Sequence, residues 1–118
     1  MSILKVNSLQ PANAGSEDYF LARAWVAYNM SGTAAVLASA NVSSLTDQGT
    51  GNPLFTMSTA LPSASGTTWN TPGLYSGGQE YPIQSGGSIN STTQFEAYCG
   101  SDSTARVDWQ LGYSGVIR

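Results

Sequence analysis

From Tyr19 to Asn29 the chain reads Tyr-Phe-Leu-Ala-Arg-Ala-Trp-Val-Ala-Tyr-Asn, and a second apolar stretch, Ala35–Val42, soon runs into Leu45-Thr-Asp-Gln-Gly-Thr-Gly-Asn-Pro53. This succession of short apolar segments and dense turn clusters confines the chain to short elements. In the cluster, Asp47 and Asn52 are suited to bond their own backbone, and Gly49 and Gly51 to take positive φ. Apolar runs bounded in this way are the signature of strands in a compact β domain.

Residues 17–30 carry two periodicities at once. Phe20, Leu21, Ala24, Trp25 and Tyr28 would share one face of a helix, and Ser16 before Glu17 and Asp18 resembles a helix start. As a strand, the segment places Phe20, Ala22, Ala24, Val26 and Tyr28 on one side, and Tyr19, Leu21, Arg23, Trp25 and Ala27 on the other. Its aromatic content favours the strand. Apolar groups on both sides fit a strand covered twice, in a sandwich or at a subunit contact.

Further strands are expected over Ala35–Val42 and Leu54–Ala60. Another covers Ser91–Cys99, with Thr93, Phe95, Ala97 and Cys99 on one face, and another Ala105–Leu111, with Ala105, Val107, Trp109 and Leu111 inward. Residues 62–88 hold Pro62, Gly66, Pro72, Gly73, Gly77, Gly78, Pro82, Gly86 and Gly87, which argue against a long helix or a central strand. That segment is expected to be an ordered loop region with one or two short strands. The chain closes on a short apolar segment at Val116-Ile117. The expected fold is all-β: residues 1–16 form an extended N-terminal arm, and residues 17–118 a single β-sandwich or jelly-roll-like domain with an irregular loop region at 62–88.

Charged residues make up only 9 % of the 118, with 4 basic and 7 acidic side chains and a net charge of −3; about 25 % is usual. Lys5, Arg23, Arg106 and Arg118 are scattered, which argues against a nucleic-acid partner. No run approaches the ~18 apolar residues of a membrane span, and the N-terminus lacks a secretion leader, so synthesis in a host cytoplasm is expected. The sequence has no histidine and a single cysteine, Cys99. Nucleophilic catalysis, a cysteine-rich zinc site and an intrachain disulfide therefore have no visible basis, and Cys99 is expected to pack as a small apolar group. Glu96 and Asp108 form the one conceivable acid–base pair, though outward solubilising charges explain them better. Asp47 with Gln48, Thr50 and Asn52 could ligate calcium but reads first as a turn. No catalytic, cofactor-binding or metal-binding residue is assigned.

The aromatic residues divide by location. Trp25 and Trp109 fall in expected strands and are assigned to the core or to a subunit contact. Trp69, Tyr75 and Tyr81 fall in the irregular region; they are candidates for stacking on a glycan, or for packing the loop onto the domain. Ile3, Leu4 and Val6 on the arm, with Tyr19, Leu21 and Trp25, are the candidate oligomer or partner contacts; an arm with apolar anchors can add a strand to a neighbour.

Several blocks together resemble virion proteins of tailed bacteriophages, particularly marine and cyanobacterial phages. They are the opening Met1-Ser-Ile-Leu-Lys-Val-Asn-Ser-Leu-Gln10, Ala22-Arg-Ala-Trp-Val26, Asn41-Val-Ser-Ser-Leu-Thr-Asp-Gln-Gly-Thr-Gly51, Phe55-Thr-Met-Ser-Thr-Ala-Leu-Pro62 and the closing Val116-Ile-Arg118. The likeness covers the first half well and the last strands loosely, and it departs over residues 63–88. It implies a non-enzymatic, β-rich part of the particle exterior, and it tips Tyr19–Tyr28 towards strand. Short length and the absence of heptads or fibrous repeats favour a capsid decoration (cement) subunit. Such a subunit would contact the major capsid protein or other virion proteins, as a homotrimer. The alternative is a short tail-fibre or spike component that binds a host surface glycan.

Overall fold

A computed structural model describes residues 3, 22–75, 79–80, 85–100 and 106–117. Nine strands form it: β1 Ala22–Asn29, β2 Ala35–Ala40, β3 Ser44–Asp47, β4 Pro53–Thr56, β5 Thr67–Tyr75, β6 Gln79–Glu80, β7 Ser85–Ser91, β8 Gln94–Cys99 and β9 Leu111–Ile117. They make a β-sandwich of a five-stranded sheet, β2-β1-β9-β5-β6, and a four-stranded sheet, β3-β4-β8-β7. Every paired neighbour is antiparallel. The expected N-terminal arm lies outside the described residues, apart from Ile3.

The Tyr19–Tyr28 segment is a strand from Ala22 onward, and its first three residues lie outside the described part. Its backbone pairs with β2 on one side and β9 on the other, so both edges of the ladder are satisfied, which a lone helix here would not improve. Ala24, Val26 and Tyr28 point into the core, and Trp25 points away from it. Of the strand expected over Ser91–Cys99, β8 keeps the alternation, with Phe95, Ala97 and Cys99 buried. Ser91 instead ends β7, and Thr93, expected on the same face, is exposed in the turn between the two strands. Between the sheets, Phe55 stacks with Tyr28 at 5.0 Å and with Phe95 at 5.1 Å between ring centroids. Val26, Met30, Met57, Leu61, Trp109 and Val116 complete this core.

Three expectations need correction. The first is the irregular region at 62–88, which contains β5, the longest of the described strands, set between β9 and β6. Pro72 and Gly73 are tolerated because the register slips there. Thr71 faces Tyr113 and Leu74 faces Leu111, so β5 spends three residues where β9 spends two. Pro72, which has no N–H to offer, falls inside that bulge.

The second is Ala105–Leu111: among its described residues, 106–110 are not a ladder strand, and Leu111, expected inward, opens β9 on its outward side. Its alternation of burial is real: Trp109 is fully buried while Arg106 and Gln110 are exposed. The segment instead crosses between sheets. Arg106 bridges Gly100, the Val107 N–H donates to the Cys99 carbonyl at 3.1 Å, and the Trp109 carbonyl accepts from Met30 N–H at 2.8 Å. Third, the closing Val116-Ile117 segment belongs to a full strand, β9, flanked by β1 and β5.

Corners of the fold are held by turn chemistry. Asp47 Oδ1 accepts the Gly49 N–H at 2.9 Å, and Gly49 and Gly51 adopt φ of 124° and 64°. Asn41 ends β2 in the left-handed region at φ 57°. Its amide donates to the Arg23 and Thr59 carbonyls, both at 3.0 Å, and its Oδ1 accepts the Thr59 N–H at 2.7 Å. One side chain thereby ties β1, the β2–β3 corner and the segment after β4 together.

Candidate functional site

The outward face of the five-stranded sheet is built by period-two alternation on β1, β5 and β9. Because Ala24, Val26 and Tyr28 face inward, Arg23, Trp25 and Ala27 face outward. On β9, buried Ser114 and Val116 leave Leu111, Tyr113, Gly115 and Ile117 outward. On β5, Asn70 joins the core, so Thr67, Trp69 and Thr71 face out. Register then assembles one row, Ala40–Trp25–Gly115–Trp69, and beside it a second, Ala38–Ala27–Tyr113–Thr71. Leu37 is an extra residue on β2, between the Ala38 and Val36 partners of Ala27 and Tyr28. Four large apolar side chains are left open to solvent: Leu37 at 55 %, Tyr113 at 42 %, Trp25 at 40 % and Ile117 at 36 %. Arg23 is the one charged residue in the described parts of β2, β1, β9 and β5. A face with a single charge on these four strands and exposed aromatic and aliphatic groups is the composition of a contact surface.

Gly115 is central to this face. A Cβ there would lie 2.5 Å from Trp69 Cε2 and Nε1 and 2.6 Å from the Ala24 carbonyl. The indole of Trp69 thus occupies the space above the glycine and is half-buried. The inward face mirrors the device: a Cβ on Gly112 would lie 2.5 Å from the Tyr28 ring.

Trp25 is therefore a contact residue, not a core residue, whereas Trp109 is core. Trp69 is on a paired strand of the sheet instead of a loop, and it shares a row with Trp25. Tyr75 ends β5 with its backbone paired to Gln79; its side chain lies outside what is described, as does Tyr81. Ile3 is 72 % exposed, and Leu4, Val6, Tyr19 and Leu21 lie outside the described residues. Leu37, Tyr113 and Ile117 escaped the sequence reading. The alternation of Leu111-Gly-Tyr-Ser-Gly-Val-Ile117 was the available signal, hidden by two glycines that read as turn residues.

A second cluster is buried between the sheets. The Tyr28 hydroxyl donates to Asn70 Oδ1 at 3.2 Å and lies 3.4 Å from Ser114 Oγ and 3.3 Å from Cys99 Sγ. Ser114 Oγ donates to Asn70 Oδ1 at 2.5 Å, and Asn70 Nδ2 donates across the sandwich to the Tyr98 carbonyl at 3.2 Å. Burial pushes the Cys99 thiol up to about 11 and raises Tyr28 above the usual phenol range. A protonated, buried thiol is the opposite of an activated nucleophile, so this cluster joins the two sheets and satisfies its own polar groups.

The Glu96 and Asp108 pair resolves into separate structural roles. Glu96 lies on β8, where the Tyr98 hydroxyl and Ser88 Oγ, the latter at 2.9 Å, donate to it. The Tyr98 hydrogen bond is the main cause that holds its carboxyl below the usual range, away from the raised value a general acid needs. Asp108 sits in the crossover and accepts the Gly51 N–H at 2.7 Å. Arg106 covers the Tyr98 ring at 4.3 Å. Among the described residues, no group of three or more His, Cys, Asp or Glu side chains is placed to hold a metal ion, and no helix is long and apolar enough to cross a membrane. No protein-family model, curated protein or solved structure matches the chain.

Proposed function

We propose that this chain is a non-enzymatic structural protein on the exterior of a tailed-phage virion, a decoration subunit that clamps neighbouring capsomers. The observation that carries the reading is the charge-poor outer face around Trp25, Leu37, Tyr113 and Ile117, whose large apolar groups are exposed. The resemblance of the Ala22–Val26 and Asn41–Gly51 blocks to phage virion proteins supplies the setting. The ionised Glu96 and protonated Cys99 are consistent with a protein that works by contact.

On this reading the partners are the major capsid protein or other virion proteins, with the chain itself a homotrimer. It is made in the host cytoplasm and ends on the particle. A second reading, a short tail-fibre or spike component that stacks on a host glycan, is favoured by Trp25 and Trp69 standing in one row.

Imaging of virions labelled at the C-terminus separates the two. Density over capsomer junctions supports decoration, and density on the tail supports the fibre component. Absence of the chain from purified particles defeats both. Removal of residues 2–14 is expected to weaken attachment to the particle while cooperative melting persists.

A further inference from the structure

We draw no further inference here: the strongest candidate, the patch of Trp25, Leu37, Tyr113 and Ile117 on the outer face of the five-stranded sheet, shares that face with Arg23, Thr67 and Thr71, and nothing in the structure shows what covers it.

Discussion

Replacement of Cys99 by alanine should make the protein weaker at neutral pH and stronger in alkali. At neutral pH the variant loses a buried sulfur next to the Tyr28 hydroxyl, but that hydroxyl keeps Asn70 as acceptor. The expected cost is about 1 kcal/mol, the scale of one buried methylene-sized group. In the wild-type chain, burial pushes the thiol from 9.0 up to about 11. The folded state therefore holds a proton that the unfolded state releases. This contribution is present in full below pH 9 and is lost as pH rises through about 11. By linkage the loss is on the order of 1 kcal/mol near pH 10 and about 2 kcal/mol near pH 11. Tyr28, raised first by burial and then by Cys99 itself, adds an alkaline loss that should be smaller in the variant. Urea unfolding of the two proteins across the alkaline range should give stability curves that converge and cross as pH rises from 9 towards 11. A Cys99→Ala protein that stays weaker by a constant margin up to pH 11 would show that the thiol does not titrate in this way, and the account of the buried cluster would fail.

Other substitutions test other parts of the fold. Asn41→Ala should cost about 2–3 kcal/mol, from three lost hydrogen bonds and a left-handed backbone; Asn41→Gly should recover about 1 kcal/mol of it, read by thermal melts. Gly51→Ala should cost more than about 3 kcal/mol, because at φ 64° its Cβ would meet the Cys99 and Val107 carbonyls at 2.5 and 2.9 Å. Tyr98→Phe should raise the Glu96 carboxyl towards its ordinary 4.5, as followed by NMR titration. Because that carboxyl is lowered in the fold, its stabilisation is present above the unfolded pKa and fades as pH falls, so the variant should lose less stability on acidification.

How much could be read from residues alone varies strand by strand. Of the expected Ser91–Cys99 strand, the part from Gln94 was legible because Phe95, Ala97 and Cys99 face one layer. The turn at Thr92-Thr93 was not, because threonine also suits a strand. Ala22–Asn29 was ambiguous because both sides are apolar, and the reason is now visible: one side builds the core and the other the exposed face around Trp25. Thr67–Tyr75 was hidden by Pro72-Gly73, since local rules price a proline against an unbroken ladder, and the bulge opposite β9 removes that cost. Leu111–Ile117 was hidden by Gly112 and Gly115, which serve neither turn nor hinge. They clear space for the rings of Tyr28 and Trp69, residues distant in sequence.

Of the candidate contact residues, only Trp25 and Trp69 could be connected by the structure, and neither their shared row nor the addition of Leu37, Tyr113 and Ile117 follows from spacing along the chain. Short apolar runs, turn residues and scarce charge were enough to determine a layered β protein, because alternation and turn preference act over a few neighbouring residues. Which strands pair, and hence which side chains meet on one face, was decided only in the folded molecule. Register is a long-range choice, made by the core that forms when Tyr28, Phe55, Phe95 and Trp109 are buried together.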